Sequence, residues 1–232
     1  MGTEPHPYNF VKMLYLVSTP IGNLKDITLR ALETLKEVDL IAAEDTRHTK
    51  ILLNHYQITT PLTSYFEHNQ IKKADYLLGL LKKGKNVALV TDAGTPGISD
   101  PGYHLIRLAR ENNILMTTIP GPTALIAALT LSGLPAHNFT FEGFLPVKSA
   151  ARRKKLEDFK NESRTIIFYE SPHRLLKALK DIEEVLRNPQ VVICRELTKK
   201  FEEVKKAPTS ELIEHFTRHT PRGEFVVLLN LQ

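Results

Sequence analysis

The sequence predicts an α/β protein of two α/β domains, the first built on a doubly wound, parallel sheet. Three observations carry that prediction. Short apolar, β-branched runs alternate with helical patterns of about 10–15 residues, the rhythm of strands joined by helical crossovers. Turns rich in proline, glycine and acidic residues follow the strands, at the edge where open α/β sheets bind ligands. The rhythm breaks once, at Ile119-Pro120-Gly121-Pro122-Thr123, and then resumes, dividing the chain into residues 13–120 and 121–232. A short stiff joint of this kind predicts a cleft between the domains, a common ligand site.

The elements follow in order. Residues 1–12, polar and proline-containing, read as a frayed extension. Met13–Ser18 is a strand and Thr19–Asn23 its turn. Thr28–Val38 repeats Leu29, Leu32, Leu35 and Val38 at helical spacing. Asp39–Ala43 is the second strand, followed by a helix over Lys50–Tyr56, a short strand near Leu62–Tyr65 and a helix over Asn69–Lys83. The strand Asn86–Thr91 runs into Asp92–Gly102, and the helix Tyr103–Asn112 leads to the strand Leu115–Ile119. In the second half come a small-residue helix over Ala124–Ser132, a strand at Asn138–Glu142, a basic helix from Ala150 and a strand at Thr165–Tyr169. A helix over Arg174–Leu186, a strand at Val191–Cys194, a helix near Ser210–His215 and a last strand over Glu224–Leu231 complete the series.

Composition bounds the function. The chain has 232 residues, 42% of them hydrophobic and 25% charged, with a formal net charge of +5. No apolar run reaches the ~18 residues of a membrane-spanning helix, and the start lacks the layout of a secretory signal. The single cysteine, Cys194, lies in a strand-like run and reads as a buried small hydrophobe, which points to a cytoplasmic protein. The nine histidines show no H-E-x-x-H pattern or Cys/His cluster, so no metal site is expected. The positive charge is concentrated: Lys148, Arg152, Arg153, Lys154, Lys155 and Lys160 fall within residues 148–160. That is either a solvated helix face or a patch for a polyanion such as RNA. With Ser149-Ala150-Ala151 leading into it, its order before RNA binds is left open.

The loop Asp92-Ala93-Gly94-Thr95-Pro96-Gly97-Ile98-Ser99-Asp100-Pro101-Gly102 is the most informative stretch. It carries neither phosphate-binding glycine signature, and its prolines remove N–H donors while leaving carbonyls exposed. Such a loop suits a cationic or donor-rich ligand without phosphate, of which S-adenosylmethionine is an example. Thr19-Pro20-Ile21-Gly22-Asn23 occupies the corresponding place after the first strand, as either a bare turn or the floor of the cleft. Glu44-Asp45-Thr46-Arg47-His48 crowds ionisable groups at the same edge. Asp45 or Thr46 reads as an N-cap, Arg47 as a phosphate ligand, and Asp45 or His48 as a proton acceptor. Pro120–Ala124 is either a joint or a helix start that meets a ligand carboxylate. In Phe168-Tyr169-Glu170-Ser171-Pro172-His173-Arg174, Ser171-Pro172 reads as a helix start, with reactive neighbours. Arg195–Lys199 adds a second cationic cluster after the next strand, and Pro221–Glu224 leads into the last.

Taken together, the segments TPIGN (19–23), AEDT (43–46), DAGTPGISDPG (92–102), PGPT (120–123), EGFLP (142–146), YESPHR (169–174) and RELTK (195–199) resemble, in matching order, the ribosomal RNA small-subunit methyltransferase I family of the tetrapyrrole methylase superfamily. The resemblance spans about residues 13–231 and implies the tetrapyrrole methylase fold. Its N-terminal sheet is doubly wound and mostly parallel, its C-terminal sheet is mixed, and the cofactor cleft lies between them. It implies a homodimer that binds S-adenosylmethionine and 2′-O-methylates a cytidine in the decoding region of 16S ribosomal RNA in the small ribosomal subunit. By motif, the cofactor would rest on Pro20, on Asp92, Gly94, Thr95, Pro96, Gly97, Ile98 and Ser99, on Thr123 and Ala124, on Phe168 and Tyr169, and on Gly223.

The general base is not given by the resemblance. A ribose hydroxyl is a weak acid and a sulfonium an excellent electrophile, so the reaction needs in-line approach and help in removing the proton. Glu170 or Asp45 is expected to accept or relay that proton, with Arg174 in the catalytic set. Arg47, Arg174, Arg195 and Lys199, together with the basic residues Arg152, Arg153, Lys154 and Lys155, are expected to meet RNA. Three rivals remain open: a tetrapyrrole or corrin-ring methyltransferase, a diphthine-synthase-like enzyme, and a non-catalytic RNA-binding module.

Overall fold

A computed structural model describes residues 13–232, so the extension expected over 1–12 lies outside the described residues. The chain divides into two units, Met1–Thr123 and Ala124–Gln232. The first contains β1 (Met13–Val17), α1 (Leu29–Glu37), β2 (Leu40–Ala43), α2 (Thr46–His55), β3 (Leu62–Ser64), α3 (Gln70–Lys82), β4 (Val87–Val90), α4 (Tyr103–Glu111) and β5 (Leu115–Ile119). Strand order is β3-β2-β4-β1-β5, and every pairing is parallel. A parallel sheet is covered on both faces, so its central strands read as unbroken apolar runs. All of Val87–Val90 is buried accordingly. Val17, Ile41, Ala43, Ala88 and Val90 pack with α1 and α2, while Leu14, Ala42, Val87 and Leu89 pack with α3 and α4.

Local chemistry sets the helix starts. The Thr28 hydroxyl accepts from the Ala31 N–H at 3.1 Å, and the Asp45 carboxylate accepts from the Arg47 N–H at 2.8 Å. With that cap, α2 begins at Thr46, four residues before the apolar periodicity shows it. β2 and β4 pair with Ala43 opposite Val90. Glu44-Asp45 and Thr91-Asp92 therefore leave the sheet side by side.

The second unit contains α5 (Ala124–Ser132), β6 (Phe139–Phe144), α6 (Ser149–Phe159), β7 (Thr165–Glu170), α7 (Leu175–Leu186), β8 (Gln190–Arg195), β9 (Glu203–Pro208), α8 (Thr209–Arg218) and β10 (Phe225–Leu229). The order is β6-β7-β10-β8-β9, with β6 and β7 parallel and the other pairs antiparallel, the expected mixed sheet. Ile166, Phe168, Val191, Ile193, Phe225 and Val227 form a core with α6, α7 and α8. Residues of the other phase face α5, where the Cys194 thiol lies against the Ala128 carbonyl. Cys194 is fully buried, and burial pushes its thiol up to about 12, so it stays a neutral packing group.

Three expectations change. β9 has no counterpart among the expected elements, because its Glu-Val-Lys-Lys pattern hides an edge strand whose lysines blunt further pairing. α7 starts at Leu175, after a turn in which the Ser171 carbonyl accepts from the Arg174 and Leu175 N–H groups, so Ser171-Pro172 is not its start. The basic segment is helical from Ser149, with Leu156 and Phe159 in the core.

Candidate functional site

In the first unit, the loops after β1, β2 and β4 are cross-tied. The Thr19 and Gly94 backbones exchange hydrogen bonds at 2.9 and 3.0 Å, and the Thr19 hydroxyl donates to the Thr91 carbonyl at 3.0 Å. Ser18 and Thr95 join hydroxyls at 2.9 Å. Pro20, Gly94 and Pro96 are buried, Asp92, Thr95 and Gly97 half-buried, and Ile98 and Ser99 exposed. The loop closes on itself because Gly102 lies against Gly97. A Cβ on Gly102 would sit 2.9 Å from the Gly97 nitrogen, so only glycine allows this approach. Thr123 and Ala124 lie half-buried at the start of α5.

Acidic groups collect at the ends of β2 and β4. The Thr91 hydroxyl donates to Glu44 Oε2 at 2.6 Å, and Asp92 Oδ1 accepts from the Asp45 N–H at 3.0 Å. Burial raises the Asp92 carboxyl above its ordinary range, with Glu44 adding to the rise. Asp100 is pushed up to about 7 by burial and then by the charge of Glu44, opposed by a hydrogen bond with Thr91. One hydroxyl hydrogen serves one acceptor, so a neutral Asp100 completes the set by donating to Thr91, which donates to Glu44. Beside it, between Ser99–His104 and Glu67–Ile71, opens a cavity of 490 Å³.

Asp45 lies one-third exposed and is held at about 2 by hydrogen bonds from the Arg47 side chain and backbone. Arg47 reaches Asp45 at 2.7 Å while remaining 90% exposed, so it is available to a phosphate. Asp45 stays ionised but is a weak base. The carboxyl poised near neutral pH, Asp100, was given no role in the sequence reading, because its proton affinity depends on burial beside Glu44. The signal for it is a second aspartate in the loop that already drew attention.

The second unit corrects several expectations. Along β7, Ile166, Phe168 and Glu170 point the same way, so alternation carries the Glu170 side chain beneath α6 and α7 with none of its surface exposed. Its Oε1 accepts from the Ser171 N–H at 2.8 Å and lies 3.3 Å from Arg174 Nε, while Oε2 has no hydrogen-bond partner among the described residues. Burial raises its carboxyl. An acceptor must meet the ribose, and a side chain enclosed in this way does not. Arg174 is likewise turned inward, and donates to the Leu145 carbonyl.

Arg152 is buried and does not belong to the exposed basic face. It meets Asp181 at 2.6 Å and donates to the Pro146 and Val147 carbonyls at 3.2 and 3.1 Å. Arg153 bridges Asp181 at 2.8 Å and Glu184 at 2.5 Å. Lys155 pairs with Glu142 at 2.7 Å, whereas Lys148 and Lys154 are exposed with no ion-pair partner among the described residues. Burial alone would raise Asp181, yet donors from Arg153, Ser149 and Arg152 outweigh it and hold the carboxyl below its ordinary range.

Arg195 and Lys199 are also committed within the fold. Arg195 donates to the Arg222 carbonyl at 2.7 Å, and Lys199 bridges Glu196 and Glu224 at 2.9 and 2.8 Å. Gly223 has φ +89, and a Cβ there would lie 2.4 Å from the Glu196 carboxylate. Phe168 is buried in the core, while Tyr169 faces the other way, edge-on to Phe141 and Phe144. Among the described residues no cluster of three or more His, Cys, Asp or Glu side chains is placed to hold a metal, and no helix is long and apolar enough to cross a membrane.

The tetrapyrrole (corrin/porphyrin) methylases match residues 13–213 of this chain. Ribosomal RNA small subunit methyltransferase I of Synechocystis sp. is 53% identical over 218 residues, covering 94% of this chain and 78% of that protein. Its namesake in Thermotoga maritima is 51% identical over 217 residues, covering 94% and 97%. Among solved structures, a diphthine synthase aligns with a TM-score of 0.72 at 14% identity, covering 94% of this chain and 89% of that one. A cobalt precorrin-4 methyltransferase aligns with a TM-score of 0.70 at 18% identity, covering 98% of each. The solved structures speak to the fold alone. With half of its residues shared with the former group over nearly its whole length, the chain belongs to the tetrapyrrole methylases and, within them, to the ribosomal RNA small subunit methyltransferase I family.

Proposed function

We propose that this chain transfers a methyl group from S-adenosylmethionine to 16S ribosomal RNA of the small ribosomal subunit, at the 2′-oxygen of a cytidine. The support that carries the reading is the identity of about half the sequence, over 94% of the chain, to relatives whose name specifies the substrate. The donor set of the first unit fits the methyl donor. A sulfonium and an ammonium suit the negative potential of Glu44 and Asp92, to which Asp100 adds once ionised, and an adenine amine suits backbone carbonyls left open by prolines. Pro20, Asp92, Gly94, Thr95, Pro96, Gly97, Ile98, Ser99 and Thr123 of this unit would hold it. When bound, it supplies an electrophilic methyl group.

The residues do the rest. Arg47, exposed at the same edge as Asp45, binds an RNA phosphate. Asp100, half-buried and matched to neutral pH, takes the hydroxyl proton. We propose a homodimer as the active form.

Equilibrium binding separates this reading from a fold without the cofactor. Replacing Asp92 and Asp100 by asparagine should weaken S-adenosylmethionine about tenfold and S-adenosylhomocysteine, which lacks the positive sulfonium, far less. Equal losses for both would sink the electrostatic account. Wild-type protein that binds neither would sink the function.

A further inference from the structure

The segment between β6 and α6 is held from inside in an unusual way. Three consecutive carbonyls, those of Leu145, Pro146 and Val147, each accept from a largely buried guanidinium: Arg174 for the first and Arg152 for the other two. Each arginine is balanced by a buried carboxylate, Glu170 for Arg174 and Asp181 for Arg152. Asp181 also takes the hydroxyl of Ser149, the first residue of α6, at 2.9 Å. Leu145 anchors the segment in the core.

What this scaffold shows to the outside is of another character. Phe144 is 53% exposed and Val147 74% exposed, with Lys148 beside them and Lys154 further along α6. A break in the β6–β7 register between Phe141 and Phe144, at Gly143 with φ +62, re-aims Phe144. It stands edge-on to Tyr169, ring centroids 5.8 Å apart. An exposed aromatic beside unpaired lysines complements single-stranded RNA, whose bases stack on aromatic rings and whose phosphates seek cations.

We infer that residues 144–148 form an RNA-contact loop set in shape before RNA arrives. Phe144 stacks on an unpaired base and Lys148 meets phosphate, while Arg174 and Arg152 act as positioning residues that never touch the RNA. The inference rests on the RNA reading above. It also gives a use to two buried arginines and to Glu170, whose sequence pattern had pointed to catalysis.

The test is affinity for a small-subunit ribosomal RNA fragment by fluorescence anisotropy, beside KM and kcat for methyl transfer to small subunits. Phe144→Ala and Lys148→Ala are surface changes and should each weaken RNA about five- to tenfold, with S-adenosylmethionine affinity unchanged. The paired replacement Glu170→Leu/Arg174→Met removes the tether without stranding a buried charge. It should keep a cooperative melt, raise KM for RNA by a similar factor, and make the Phe144→Ala change nearly silent when combined. RNA affinity unmoved by the surface variants overturns the inference, as does a change in oligomeric state in place of RNA affinity. A paired replacement that lowers Tm but leaves RNA KM unchanged assigns the clamp to stability alone and overturns the positioning role. Wild-type protein that binds RNA without transferring methyl would fail the proposed function while leaving the loop testable by affinity.

Discussion

Asp100 shows how much a single side chain depends on what surrounds it. Its pKa of about 7 makes it neutral in acid and ionised above neutrality. If it accepts the hydroxyl proton, kcat rises about tenfold per pH unit below 7 and levels above it. Asp100→Asn should flatten that profile and lower the plateau by about a hundredfold. The same group makes a stability prediction. Its folded-state pKa lies above its unfolded value, so its contribution is full below the unfolded value and is lost as pH rises through about 7. Melting at pH 5 and pH 8 should show the wild type losing more than Asp100→Asn over that interval. Gly223 is a second case, where φ is +89 and Glu196 leaves no room for a Cβ. Gly223→Ala should cost about 1–3 kcal/mol, read from denaturant unfolding, because backbone strain and a displaced Glu196 add. Residue types were legible in the sequence, but their roles were not. Arg152 and Lys154 look alike in a basic run, and only the helix phase sends one to Asp181 and the other to solvent.

At the scale of elements, the strands of the first sheet were legible because burial on both faces leaves apolar runs that polar turns punctuate. Helix starts were less so. α2 begins where the Asp45 side chain caps it, and α7 begins beyond the Ser-Pro signal because the turn there closes through the Ser171 backbone. β9 was missed because an edge strand exposes one face and carries lysines. The α6–α7 contact includes the buried Arg152–Asp181 pair beside its apolar core, which predicts an asymmetry. Arg152→Ala should destabilise by about 3 kcal/mol, since it withdraws the most buried partner of Asp181. Arg152→Met with Asp181→Leu should recover most of that loss, because a buried pair costs desolvation that apolar substitutes do not. Chemical denaturation of both variants checks this. Equal losses in the two would mean that the network contributes more than compensation of charge.

For the whole molecule, order of motifs carried more information than any one of them. Each candidate segment had a plain structural reading, and several keep it: Asp45 does cap α2, and Arg195 and Lys199 do brace β8 against the start of β10. What singled out the function was seven segments in sequence, now matched by half-identical relatives over 94% of the chain. The fold alone does not fix the substrate, since a cobalt precorrin-4 methyltransferase and a diphthine synthase share it. Substrate class is therefore the claim to test. Isolated small ribosomal subunits are incubated with this protein and S-adenosylmethionine carrying a labelled methyl group, and the RNA is digested and mapped. The account predicts one labelled nucleotide, a cytidine whose ribose methyl protects the adjacent bond from alkali. Label absent from RNA, with S-adenosylmethionine binding intact, would contradict it and return the search to ring or protein substrates.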